Sequence, residues 1–229
     1  MKKNKLNIYG DRGQEKLKMG YCGYDISSQR LDELDKETIQ YVLSRKENGL
    51  NCIDLGCGEG KIGIILAMIG ADVLLIDKND ISKKIKPIKN NFDLNLNFLC
   101  KNANDLEPED LPFKIDVCYS QRFIHYLKFN EADKLIDLLS KKMKKGSMLF
   151  ISASGLNSEL GTGYRHKNMP IEKRFAKLKK ELAKKHNIVE PVCLYTEAEL
   201  EKLITPHGFK TASVKSSDFG NIKGVFKKK

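Results

Sequence analysis

Residues Asn51 to Gly63 read N-C-I-D-L-G-C-G-E-G-K-I-G, an apolar run ending in an acid, then glycines at alternate positions, then a helical pattern. Glycine takes positive φ and lets a ligand approach a backbone without a Cβ, so Gly56, Gly58 and Gly60, with Cys57 between them, open a floor for a bound molecule. The helix that follows turns unpaired N–H groups and a partial positive charge toward that floor, where a ligand carboxylate would be held. Asp54, at the end of the apolar run, suits an ammonium and would repel a pyrophosphate at the same distance. A second apolar run, Ala71 to Ile76, ends in Asp77 and then Lys78, roughly twenty residues past the glycines, from where an acid reaches ribose hydroxyls. A nucleoside bearing both an ammonium and a carboxylate fits this set.

The pattern D-L-G-C-G-E-G followed by L-L-I-D resembles the first two motifs of class I S-adenosylmethionine-dependent methyltransferases. The resemblance implies S-adenosylmethionine as cofactor, Asp77 on the ribose, the glycine turn against the methionine part and Asp54 near the amino group. Gly58-Glu59-Gly60-Lys61-Ile62-Gly63 also fits the G-x-G-x-x-G fingerprint of nicotinamide dinucleotides. A dinucleotide turn begins its glycines directly off the strand, however, and Gly56 already fills that place. Many relatives put an aspartate after the next strand to receive the adenine amino group. Here Lys101-Asn102-Ala103-Asn104-Asp105-Leu106 puts Asn102 in the acidic place, and an amide oxygen can also accept that bond. The adenine-side contact stays open among Asn102, Asn104 and Asp105.

Phe113 to Leu127, F-K-I-D-V-C-Y-S-Q-R-F-I-H-Y-L, is similar to the fourth-motif pattern of small-molecule methyltransferases. The resemblance implies that Ser120 to His125 lie beside the methyl donor. His125 is then a candidate general base, with a satisfied structural histidine as the alternative, and Arg122 could pair with an acidic substrate. Tyr126 in the same run, Tyr164 further on, and Tyr24 in the Tyr21–Asp25 segment are candidate pocket residues. Enzymes that methylate exocyclic base amines usually carry an Asn/Asp-Pro-Pro-aromatic loop here, and pyrimidine C5 methyltransferases a Pro-Cys nucleophile; this chain resembles neither, with Tyr119-Ser120-Gln121-Arg122 in the loop and Cys118 following Val117. Methylation of exocyclic amines of bases and of pyrimidine C5 is therefore disfavoured. A sulfonium is already an activated donor, so catalysis reduces to alignment, desolvation and removal of one proton. Asp54 and Asp77 bind rather than react.

The positioning elements follow from periodicity. Strands are expected near 51–54, 72–76, 96–100, 115–120 and 147–153, with helical patterns near 60–69, 81–90 and 130–143 between them. Leu31 to Arg45 reads as an amphipathic helix preceded by Ser27 and Ser28 as caps. Thr196-Glu197-Ala198-Glu199 reads as a capping box opening a helix through Ile204, closed by Pro206 and Gly208. Lys210 to Val214 and Ile222 to Phe226 are joined by too short a link for a crossover and should form an antiparallel hairpin. The fold expected is α/β: three layers, doubly wound around a mostly parallel seven-stranded sheet with a reversed terminal strand.

The 229 residues, 41% of them hydrophobic, are enough for one α/β core and little more. One domain is expected over 1–229: a cap at 1–48, a cofactor-binding core at 49–154, a basic insertion or lid at 155–195, and a closing helix and hairpin at 196–229. No run reaches the roughly 18 apolar residues of a membrane span, and Met1 to Asn7 is followed by no apolar core, so a cytoplasmic location is expected. The six cysteines lack C-x-x-C spacing and a Cys/His cluster, so reduced thiols and no metal are expected.

The net charge is +11, with lysine exceeding arginine 35 to 6. Lys141 to His186 holds thirteen Lys or Arg against three Glu, a local charge of +10. This stretch could attract acidic substrates or nucleic acid. The plainer reading is a solvated amphipathic helix over Glu172 to Leu182. The segment from Gly155 to Pro191 leaves the carboxyl end of a strand, the ligand side of an open sheet, and is either a substrate lid or a surface insertion. Methyl transfer to a small-molecule acceptor is the favoured activity. RNA or protein methylation through the basic stretch, and a non-catalytic S-adenosylmethionine-binding module, are the alternatives.

Overall fold

The computed structural model describes residues 31–45 and 49–229. Five strands run parallel: β1 (Asn51–Leu55), β2 (Asp72–Asp77), β3 (Leu96–Cys100), β4 (Ile115–Ser120) and β5 (Met143–Ala153). A C-terminal hairpin of β6 (Phe209–Ser216) and β7 (Ile222–Lys228) completes a seven-stranded sheet in the order β3-β2-β1-β4-β5-β7-β6. The reversed strand is β7, antiparallel to both β5 and β6. It is last in the chain but inserted between its two neighbours. The turn before it is closed by Ser217 N–H to Asn221 O at 2.8 Å and Gly220 N–H to Ser217 O at 2.7 Å; so tight a link can only return antiparallel.

The strands are nearly continuous apolar runs because both faces of the sheet are covered. On one face Cys52, Val73, Leu75, Val117, Tyr119 and Phe150 meet α1 (Glu33–Ser44), α2 (Lys61–Met68) and α3 (Ser82–Phe92) through Leu34, Val42, Ile62, Leu66 and Ile85. On the other, Ile53, Leu55, Leu74, Ile76, Cys118 and Leu149 meet α4 (Phe129–Lys142) and α6 (Glu197–Ile204) through Leu135, Leu139, Leu200 and Leu203. Neighbouring strand residues alternate between the two clusters, the period-two signature of a pleated strand. Among the described residues no helix is long and apolar enough to cross a membrane.

Two local expectations are corrected. Ser27 and Ser28 lie outside the described residues, and the N-cap of α1 is Asp32: its Oδ1 accepts Leu34 N–H at 2.8 Å and Asp35 N–H at 3.3 Å, while Asp35 Oδ2 accepts Asp32 N–H at 2.8 Å. The continuous basic helix over 172–182 is absent. Ile171–Lys173 is one 3-10 turn, and Ala176 forms an antiparallel bridge with Val192, N–H to O at 3.1 and 2.9 Å. Arg174 is buried between them, and only Lys180–His186, α5, is helical. This isolated bridge to Val192 satisfies backbone groups of Ala176 that a helix would otherwise pair locally. The insertion carries a small core of its own, with Leu156, Leu160, Tyr164, Leu178, Ile188, Val192 and Leu194. The capping box at Thr196 forms as expected, with Thr196 Oγ1 accepting Glu199 N–H and Glu199 Oε2 accepting Thr196 N–H.

Candidate active site

The glycine turn links β1 to α2 at the carboxyl end of the sheet. Gly56, Gly58 and Gly60 have φ of 68°, 56° and 73°, a region that side chains with a Cβ rarely adopt. Gly56 N–H and Cys57 N–H both donate to Ile76 O, at 2.8 and 3.1 Å. Gly58 N–H donates to Asp77 Oδ2 and Asn79 N–H to Asp77 Oδ1, each at 2.9 Å. Asp77 therefore fastens the turn to the end of β2. A carboxylate oxygen accepts more than one bond, so both oxygens keep capacity for a ligand's hydroxyl groups. Lys78 is exposed beside it.

Asp54 is buried, and its Oδ2 accepts Gly63 N–H at 2.9 Å. A Cβ on Gly63 would lie 2.1 Å from Leu75 Cδ2 and 3.0 Å from Asp54 Oδ2. The third glycine of the apparent dinucleotide fingerprint thus serves the close approach of α2 to β1 and β2. Burial pushes the Asp54 carboxyl up to about 7, with Gly63 N–H opposing the rise and Asp35 and Asp77 adding to it. Asp35, on α1, is raised to about 6, chiefly by burial and by Asp32. Its Oδ1 accepts the Tyr119 hydroxyl in a short hydrogen bond, and Tyr119 Oη also lies 3.0 Å from Gln121 Oε1.

Both raised carboxyls bind their protons more tightly folded than unfolded. Their joint contribution to stability is therefore greatest at low pH and falls as pH rises through about 6 and 7. Asp54→Asn should flatten that decline, giving a melting temperature that differs from wild type more at pH 8 than at pH 5. Parallel melting curves against pH would reject the assignment.

Ser120, also buried, donates from Oγ to Leu55 O at 3.0 Å and ties the end of β4 to that of β1. Phe123, not singled out from the sequence, has its side chain where a Cβ on Gly56 would be, with ring atoms 2.3 and 2.5 Å away and its own Cβ at 2.6 Å. The loop after β4 therefore closes directly on the glycine turn. Arg122 stands in the same loop with φ of 52°, and its N–H donates to Ser152 Oγ at 2.9 Å.

His125 does not have the environment of a general base. It is fully enclosed, its Nδ1 accepts Ser154 N–H at 3.3 Å, and burial together with the Arg122 charge lowers its pKa to about 3. The ring is neutral at ordinary pH with one lone pair already engaged. Tyr126 has its ring 4.2 Å from that of His125 and leans on the core of the insertion. Tyr164 is buried in that core and donates to Val192 O at 2.6 Å, so it anchors the insertion rather than lining a pocket. Tyr24 lies outside the described residues. Asn102 Oδ1 accepts Asn104 N–H at 3.1 Å and opens the turn Ala103–Asp105, leaving Asn104 and Asp105 exposed after β3. The Cys57 thiol is pushed up by burial and by the charges of Asp54 and Asp77, which keeps it protonated and unreactive.

The strand order, the reversed β7 and the glycine turn flanked by Asp54 and Asp77 define a class I methyltransferase fold. Residues 46–223 match the family described as a methyltransferase domain, and the chain belongs to that family. It is 30% identical over 128 residues to phosphoethanolamine N-methyltransferase 1 of Triticum aestivum, covering 55% of this chain and 26% of that protein. It is 32% identical over 139 residues to the mitochondrial ubiquinone biosynthesis O-methyltransferase of Dictyostelium discoideum, covering 54% and 43%. The chain thus matches well under two thirds of the length of these curated relatives. Magnesium protoporphyrin IX methyltransferase of Synechocystis PCC 6803, solved with S-adenosylhomocysteine, shares the fold with a TM-score of 0.61 at 17% identity over 85% of this chain and 81% of that one. So does 1,6-didemethyltoxoflavin-N1-methyltransferase of Burkholderia thailandensis, with a TM-score of 0.63 at 13% identity over 89% and 81%.

Proposed function

We propose that this chain transfers a methyl group from S-adenosylmethionine to a small-molecule acceptor. The observation that carries the reading is the Asp77 carboxylate at the end of β2, joined to Gly58 N–H across a turn of three positive-φ glycines. This donor set fits the cofactor. Asp77 would take the ribose hydroxyls, and Asn104 and Asp105 stand after β3, where adenine would be received. Asp54, raised by burial, would gain from an ammonium nearby, and the turn with Cys57, Lys78 and Ser120 would border the remainder. When bound, the sulfonium supplies an electrophilic methyl group. The chain's own residues bind, align and exclude water; Phe123 on Gly56 and the insertion over 155–195 serve the last of these.

The acceptor class rests on the likeness to relatives named for phosphoethanolamine and ubiquinone-pathway methylation. Against an RNA or protein acceptor held by the basic stretch, Lys141, Lys144, Arg174 and Lys185 are each paired with a carboxylate. We further read the chain as one cytoplasmic domain with its cofactor core over 49–154, a lid over 155–195 and a closing unit over 196–229. Calorimetric titration with S-adenosylhomocysteine and, separately, with NAD tests the reading. Binding of the first alone is expected; binding of NAD alone, or of neither, would overturn it.

A further inference from the structure

Arg122 is one of three described non-glycine residues with positive φ, at 52°, and the other two, Asp93 and Asn187, are at helix C-caps, where the left-handed conformation is routine. At Arg122 no helix ends. A non-glycine residue in that region is strained by about 1 kcal/mol or more, and such strain persists where surrounding contacts impose it. Three contacts do so here. The Arg122 N–H is held by the buried Ser152 hydroxyl at 2.9 Å, the preceding Ser120 is tied to Leu55 O, and the following Phe123 is pressed onto Gly56. The loop is therefore fixed in a shape that glycine would take more easily, with an arginine in it.

Among the described residues the Arg122 guanidinium makes no ion pair and no hydrogen bond, whereas Arg174 in the same chain donates to two carbonyls and a carboxylate. Asp35 is the carboxylate that feels its charge, and its two oxygens accept from the Tyr119 hydroxyl and from Asp32 N–H. The side chain is partly exposed, at the carboxyl end of β4, next to the residue that covers the glycine turn. A guanidinium presents a planar fork of donors matched to a carboxylate or phosphate.

We propose that Arg122 is the specificity-determining residue of the acceptor subsite, and that the acceptor carries a carboxylate or phosphate group which this guanidinium receives. The inference rests on the methyltransferase reading for the word acceptor, but not for the anion site itself.

The test uses the full chain saturated with S-adenosylhomocysteine and two probes, inorganic phosphate and succinate, read by thermal melting. In wild type, an anion at about ten times its dissociation constant should raise the melting temperature by roughly 3–6 °C. Arg122→Met, which keeps a long unbranched side chain, should lose that response, and Arg122→Lys should keep part of it. Arg122→Gly should melt higher than wild type in the absence of anions, by roughly 2–4 °C, because the strain is relieved.

Equal anion responses in wild type and Arg122→Met would overturn the proposal. So would a lower melting temperature for Arg122→Gly, which would make the side chain a support of the fold. A tenfold loss of S-adenosylhomocysteine affinity in Arg122→Met would place the guanidinium on the methyl donor's own carboxylate and overturn the acceptor assignment. Failure of wild type to bind S-adenosylhomocysteine would sink the methyltransferase reading instead, and the anion response of the unliganded chain would still be decided by Arg122→Met.

Discussion

Asp77→Ala is expected to lower affinity for S-adenosylhomocysteine on the order of 100-fold. A hydrogen bond to a charged acceptor contributes roughly 1.5–3 kcal/mol, and each 1.4 kcal/mol is about tenfold, so two ribose hydroxyls on one carboxylate account for the figure. The substitution also releases Gly58 N–H and Asn79 N–H, so the turn itself loosens and the fold loses stability. Asp77→Asn separates these effects, because the amide keeps one acceptor oxygen in nearly the same volume. It should retain more of the melting temperature and lose about tenfold in affinity. Calorimetry on both variants is the check, and unchanged affinity in Asp77→Ala would remove the ribose contact from the proposed function.

That experiment probes a site whose frame was readable from sequence and whose tuning was not. The turn at Gly56, Gly58 and Gly60, the acid at the end of each strand and the capping box at Thr196 are local. Each depends on residues within a few positions and on backbone conformations that only certain side chains allow. The reversed β7 was readable for the same reason, since a link as short as Ser217 to Asn221 leaves one way back. What escaped was set by contacts distant along the chain. Asp35 meets Tyr119 across 84 residues, His125 is fixed by Ser154 N–H, and the ring of Phe123 occupies the space that Gly56 leaves free. Residue type names the capability of a side chain, whereas burial decides its protonation. His125 is the clear instance, a titratable ring by type and a neutral one by place. The helix expected over 172–182 failed through the same kind of distant term: its apolar spacing is real, but Ala176 pairs with Val192 and Arg174 turns inward.

Arg174 leads to the second large expected effect, a loss of about 3–5 kcal/mol of folding stability in Arg174→Met. The guanidinium is 7% exposed and donates to Met169 O from Nε at 3.1 Å and Nη2 at 2.9 Å, to Leu194 O at 3.0 Å and to Glu199 Oε2 at 2.6 Å. Its removal leaves two carbonyls and a carboxylate that is only 19% exposed without their donor. At roughly 2–4 °C per kcal/mol for a chain of this size, the melting temperature should fall by about 10 °C. The pH dependence gives an independent sign. Burial pushes the Glu199 carboxyl up, but Arg174 and the Thr196 cap more than offset it and hold it below the ordinary glutamate value. Its contribution is therefore present above that value and lost as pH falls through the folded pKa, so the wild-type acid limb should be steeper than that of Arg174→Met. Because the same guanidinium ties the insertion to the start of α6, loosening should begin there. Amide exchange should accelerate earlier and further over 155–195 than in the strands beside the glycine turn, which lose only the protection that the fall in global stability removes, and affinity for S-adenosylhomocysteine should be preserved. Uniform acceleration through β1 and β2 would mean instead that the insertion and the cofactor core unfold as one cooperative unit, and a lid moving independently of that core would be ruled out.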